Sequence, residues 1–138
     1  MEQGPRSSAD SGVLPADVLN RDCPSRTVLR HLTDRWTPMI VTVLADGRRA
    51  RFTELRRAIQ GVSPKVLTET LRSMERDGLV AREVTPSIPP RVDYWLTELG
   101  ASTVAPLDAL RRWAEQNVGV VQQNRERYDR SADAVGGE

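Results

Sequence analysis

The residues best equipped for chemistry in this chain are hydrogen-bond donors rather than nucleophiles. With Leu67 taken as the inward direction, Lys65, Thr68, Glu69, Arg72 and Arg76 point outward along one helical side, at roughly 100° per residue. Ser63, Lys65, Thr68 and Arg72 can donate to phosphates or base edges. Arg72 carries the planar fork that meets guanine bidentately, whereas Lys65 is a point charge suited to either target. Helix polarity favours a phosphate beside Ser63. Glu69 reads a cytosine amine or pairs with Arg72 or Arg76. Arg91 reaches a phosphate or a minor groove, or pairs with Asp93 or Glu83. Such a stripe is either a DNA-reading surface or a solvated helix face, and the elements around it decide between the two.

Catalytic chemistry has little to work with. The single Cys and single His, Cys23 and His31, have no clear third member, and there is no Gly-rich phosphate loop. The chain therefore reads as a non-enzyme without cofactor, and one His with one Cys argues against a structural zinc site. Cys23 precedes Pro24 at a helix start, where the helix dipole and Arg21 and Arg26 favour thiolate. It is either a reactive thiol or an inert, half-buried one. His31 reads as exposed or capping. Trp36, Trp95 and Trp113 are core, or line an apolar effector pocket.

The stripe needs a frame to hold it. Pro24 opens a helix to about His31 or Leu32, with Val28, Leu29 and Leu32 on one side. Asp34 to Thr37 enters a second helix carrying Met39, Ile40, Val43 and Leu44, ended by Gly47. A short extended piece at 50–52 leads to Thr53 as cap of a helix to about Gln60. Gln60-Gly61-Val62 forms a turn, and Ser63-Pro64 starts the helix that buries Leu67, Leu71 and Met74 and stops at Gly78. Leu79 to Thr85 and Arg91 to Thr97 alternate as strands, joined by Pro86-Ser87-Ile88-Pro89-Pro90, which cannot pair. Thr97 caps a last helix from about Glu98 to Val118, kinked by Pro106. Two helices joined by a short turn and followed by a stiff-looped hairpin make a winged helix-turn-helix.

Charge follows the same division. The 138 residues carry a net charge of +1, yet Arg48 to Arg91 holds ten basic residues against five acidic ones, so the flanks are acidic. A basic middle is the footprint of a polyanion-binding module or an uneven solvated surface. The start Met1-Glu2-Gln3-Gly4-Pro5 has no apolar signal core, and the longest apolar run, Met39 to Ala45, is interrupted by Thr42. The expected location is cytoplasmic, with no membrane partner. Residues 1–22 read as a flexible arm, 23–118 as the domain and 119–138 as a polar tail.

The stretches Arg51-Phe52-Thr53-Glu54-Leu55-Arg56-Arg57-Ala58-Ile59, Gly61-Val62-Ser63-Pro64-Lys65-Val66-Leu67-Thr68 and Pro89-Pro90-Arg91-Val92-Asp93-Tyr94-Trp95-Leu96-Thr97 together resemble the HxlR family of transcription regulators, relatives of the MarR group. Cys23-Pro24, Arg35-Trp36-Thr37 and Pro106, Leu107, Leu110 and Trp113 extend the likeness, over roughly Cys23 to Trp113. The resemblance implies a mostly helical α+β fold, a winged helix-turn-helix with a β-hairpin wing and flanking N- and C-terminal dimerisation helices. It implies a homodimer on a palindromic operator in double-stranded DNA; because a dimer that occupies a promoter commonly blocks it, the expected role is a repressor. Carried onto this chain, the DNA-facing positions are Ser63, Lys65, Thr68, Arg72 and, at the wing, Arg91. Several family members sense oxidants or electrophiles through a cysteine placed like Cys23; a small-molecule effector at the dimer seam is the other expectation. A winged helix that binds only protein is the alternative to DNA binding.

Overall fold

The computed structural model describes residues 16–136. Most of the expected N-terminal arm, residues 1–15, and the end of the chain, 137–138, lie outside the described residues. Helix α1 (Pro24–Leu32) begins on Pro24, which suits a first turn because its missing N–H has no helical partner there. No residue of α1 is buried; only Leu32 packs against the core. Asp34 Oδ1 accepts from the backbone N–H groups of Trp36 (2.9 Å) and Thr37 (2.8 Å) and so opens α2 (Thr37–Leu44). The expected stripe of α2 is shifted: Ile40, Val41 and Leu44 are buried, while Met39 faces outward. This helix touches α1, the first helix of the turn motif, the sheet and the last helix, so it needs apolar atoms on more than one side.

Asp46 and Gly47 both take left-handed backbone conformations and turn the chain into β1 (Ala50–Arg51). Helix α3 (Phe52–Ala58) starts earlier than Thr53 because Glu54, not Thr53, does the capping: its Oε1 accepts from the Arg51 N–H at 2.8 Å. After the turn through Gly61, Ser63 Oγ accepts from Val66 N–H at 3.2 Å and opens α4 (Pro64–Arg76). Leu67, Leu71 and Met74 are buried as the spacing predicts, and Thr70 joins them with its hydroxyl donating to Val66 O. At the other end Gly78 is left-handed, its N–H reaches Glu75 O (3.0 Å), and Leu79 N–H reaches Met74 O (2.9 Å). These are the two bonds of a Schellman ending.

Strands β2 (Val80–Thr85) and β3 (Arg91–Leu96) form the antiparallel hairpin, and β1 adds to β3, giving the order β1-β3-β2. Val80 pairs with Leu96, Arg82 with Tyr94 and Glu83 with Asp93. Residues 86–90 are unpaired, as their prolines require. Thr97 ends the hairpin and caps α5 (Glu98–Ala101), accepting from Gly100 N–H at 3.0 Å. Its hydroxyl also donates to Gly78 O, and its N–H to Leu79 O, which ties the end of the wing to the end of α4.

The expected single kinked helix from Glu98 to Val118 is corrected in two respects. The chain breaks at Ser102-Thr103, and α6 runs from Val104 to Gly136. Pro106 therefore falls in the first turn of a new helix, where it removes no helical hydrogen bond and need not kink it. The polar residues after Val118 continue the helix; Gln, Arg, Glu and Ala are good helix formers, and no proline interrupts them. Ile40, Val41, Leu44, Leu55, Leu67, Leu71, Met74, Val80 and Leu107 form one core behind α4.

A Cβ on Gly100 would lie 1.9 Å from the Leu79 carbonyl oxygen, whereas one on Gly119, within α6, meets nothing within 4 Å. Gly100→Ala should lower unfolding stability by about 3 kcal/mol, the upper end of overpacking effects. Gly119→Ala should raise it by up to about 1 kcal/mol through helix propensity. Denaturant melts of the two variants check both signs.

Candidate nucleic-acid interface

Helix α4 separates its residues by chemistry. Lys65, Glu69, Arg72 and Arg76 are exposed, Thr68 is half-buried, and Leu67 and Leu71 are sealed beneath them. Among the described residues, Lys65, Glu69, Arg72 and Arg76 form no ion pair, so Glu69 does not neutralise either arginine. Ser63 uses its oxygen as the helix cap and keeps its hydroxyl hydrogen for another acceptor. Thr68 donates its hydroxyl to Pro64 O at 2.8 Å, which leaves only oxygen lone pairs outward. The four donors expected on this helix thus lie on one helix, three of them with hydrogens to give.

Arg91 is placed differently from its companions. Its Nε donates to the Asp93 carboxylate at 3.1 Å, so the pairing within the hairpin is the one formed. Arg91 lines a polar basin together with Arg49, Arg51 and Arg57 and the acids Glu54, Glu83 and Asp93. Arg49 itself pairs with Glu83 (2.7 Å) and stacks over Trp95 at 3.9 Å. Two connections to α4 escape a reading by sequence. Arg82 Nε donates to both oxygens of Glu75 (3.1 and 3.3 Å), joining wing to helix. His31 Nδ1 lies 3.0 Å from Asp77 Oδ2, joining α1 to the residue that ends α4. The alternation of β2 put Arg82 on the face of Val80, which was a usable signal; nothing local linked His31 to a residue 46 positions away.

Cys23 is buried, not half-buried. Its Sγ lies 2.9 Å from Ser25 Oγ and accepts from the Asp17 N–H at 3.1 Å. The Ser25 hydroxyl first, then the Asp17 amide, hold the thiol below its ordinary pKa. The shift has the expected direction but another main origin than the arginines: Arg26 donates to Val18 O at 2.9 Å instead. An apolar cavity of about 440 Å³ opens between α2 and α6, lined by Pro38, Met39, Leu107, Leu110 and Ala114. None of the three tryptophans lines it. Trp36 packs against the core, and Trp113 is 59% exposed. No helix among the described residues is long and apolar enough to cross a membrane.

Comparison with known proteins agrees with this geometry. A family model described as HxlR-like helix-turn-helix matches residues 31–122. The HTH-type transcriptional regulator YtfH of Escherichia coli (strain K12), itself uncharacterised, is 43% identical over 102 residues, covering 74% of this chain and 80% of YtfH. The solved structure of the transcriptional regulator ytfH from Salmonella typhimurium superposes with a TM-score of 0.75 at 41% identity, over 81% of this chain and 99% of that one. Diamide-treated YodB from B. subtilis superposes with a TM-score of 0.58 at 36% identity, over 70% of this chain and 96% of that one. The family match and these relatives settle the class: this chain belongs to the HxlR family of winged helix-turn-helix, DNA-binding transcription regulators.

Proposed function

We propose that two copies of this chain bind a palindromic operator, with Ser63, Lys65, Thr68 and Arg72 of each α4 in the major groove and Arg91 at the base of the wing, and that this binding represses transcription. The observation that carries the reading is the unpaired Lys65 and Arg72 on the outer face of a helix whose inner face is locked into the core. A module that bound only protein would not need two uncompensated cations there. Repression is the outcome expected when a dimer occupies a promoter.

Apolar exposure supports the dimer. Val28 and Leu29 on α1, and Leu110 and Trp113 on α6, are each at least half exposed. Such surface on two flanking helices is better covered by a second copy than left in water. The cavity between α2 and α6 favours a second mode of control, by an apolar effector at this seam. Cys23 favours control by oxidants or electrophiles, and YodB, solved after treatment with the thiol oxidant diamide, supports it. Oxidation would join the two Cys23 sulfurs, one from each copy, with two protons and two electrons passing to the oxidant; an electrophile would instead alkylate the thiolate.

Lys65→Ala should weaken binding to all duplexes and flatten the dependence of affinity on salt by about 0.9 in log–log slope. Arg72→Ala should lose about 1–3 kcal/mol on selected genomic fragments, with relaxed sequence preference. Unchanged salt slope and affinity in both would contradict the reading. Trp113→Asp should shift sedimentation from dimer to monomer and weaken operator binding. Ser25→Ala removes the main thiolate-stabilising group at Cys23, so iodoacetamide alkylation at neutral pH should slow and its pH midpoint should rise.

A further inference from the structure

A cleft of about 160 Å³ lies between α4 and the wing, lined by Thr68, Leu71, Arg72, Glu75, Arg82 and Tyr94. Three of these residues bring donors that no described residue uses. Arg72 makes no hydrogen bond or ion pair among the described residues. Arg82 gives only Nε to Glu75, so both terminal nitrogens of its guanidinium are free. Among the described residues the Tyr94 hydroxyl has no partner either, and Tyr94 faces Arg82 directly across the β2–β3 ladder. Burial raises the Tyr94 pKa, so the group remains an O–H donor. Donors from three elements converge with no acceptor of their own.

We propose that this cleft seats a backbone phosphate of the bound duplex, held by Arg82 and Tyr94, with Glu75 as the positioning residue for Arg82 and Arg72 at the cleft's edge turned to the base edges of the groove. The inference rests on the reading of α4 as the major-groove helix. With α4 in one groove and the wing at the neighbouring one, the sugar–phosphate strand between the grooves must cross the seam between α4 and β2. The cleft lies on that seam. A phosphodiester supplies two acceptor oxygens that share one negative charge, which match the free guanidinium fork of Arg82 and the neutral Tyr94 hydroxyl. Glu75 is the sole acid lining the cleft, and it is engaged by Arg82 Nε. Two arginines against one carboxylate leave the cleft positive.

A phosphate seat is blind to sequence, so a pool of random-sequence duplex DNA is a sufficient probe. The full chain is titrated against it between about 50 and 200 mM salt. The double variant E75Q/R82Q leaves net charge unchanged, yet its log–log salt slope should be shallower by about 0.9, one phosphate contact. Tyr94→Phe should weaken binding roughly tenfold, the size of a hydrogen bond to a charged group, with the slope unchanged. A folded E75Q/R82Q with the wild-type slope, or a folded Tyr94→Phe with wild-type affinity, overturns the seat. Should E75Q/R82Q fail to melt cooperatively, Tyr94→Phe decides alone. Wild-type-like behaviour of these variants beside a weakened Lys65→Ala refutes the seat and leaves the DNA reading intact. A wild-type chain that ignores the duplex pool refutes both.

Discussion

The burial of one side of α4 is the constraint on which everything else depends. Leu67, Leu71 and Met74 have no more than 2% of their surface exposed and share a core with Ile40, Leu44 and Leu55. Each such side chain contributes about 1.5–3 kcal/mol by leaving water. Helix periodicity does the rest: with that side fixed inward, Lys65, Glu69, Arg72 and Arg76 must face outward. A helix anchored by apolar contacts can hold unpaired cations in solvent at little cost, because they remain hydrated until a polyanion arrives. The outward polar face of α4 is thus a by-product of how the core is made.

The ends of α4 are fixed as firmly as its side. Ser63 caps one end; Gly78 and Leu79 close the other. Thr97 then bonds Gly78 O with its hydroxyl and Leu79 O with its N–H, while accepting from Gly100. One residue after the hairpin therefore registers the wing against α4. The Glu75–Arg82 pair adds a second link higher on the seam, and His31–Asp77 brings α1 to the same helix end. Exposed ion pairs contribute little stability in water, so the value of these two lies in geometry. Cys23 precedes the helix whose last turn carries His31, which connects the thiol to α4 through one rigid element.

Local chemistry explains which parts were legible. Ser63-Pro64, Gly78 and the period of Leu67, Leu71 and Met74 act within a few residues, and the helix they define matches the sequence reading within a residue. The prolines of 86–90 likewise announced an unpaired loop. The misreadings arose where tertiary context overrode local preference. Thr53 is a good cap by type, but Glu54 bonding back to Arg51 was better placed. Pro106 looked like a kink because the break at Ser102-Thr103 carries no proline or glycine. Val41 was passed over because a helix packed on several sides obeys no single stripe. At the candidate interface, Lys65 and Arg72 could be named from helix geometry alone, whereas Tyr94 and the Glu75–Arg82 pair needed the wing folded against α4.

The central claim is that the outward side of α4 meets DNA while its inward side stays locked. Amide chemical shifts of the labelled chain, followed as duplex DNA is added, test this most directly. The account predicts the largest changes at Ser63, Lys65, Thr68 and Arg72 and in the wing, with Leu55 and Leu44 nearly still. Changes confined to α1 and α6, with α4 silent, would contradict it.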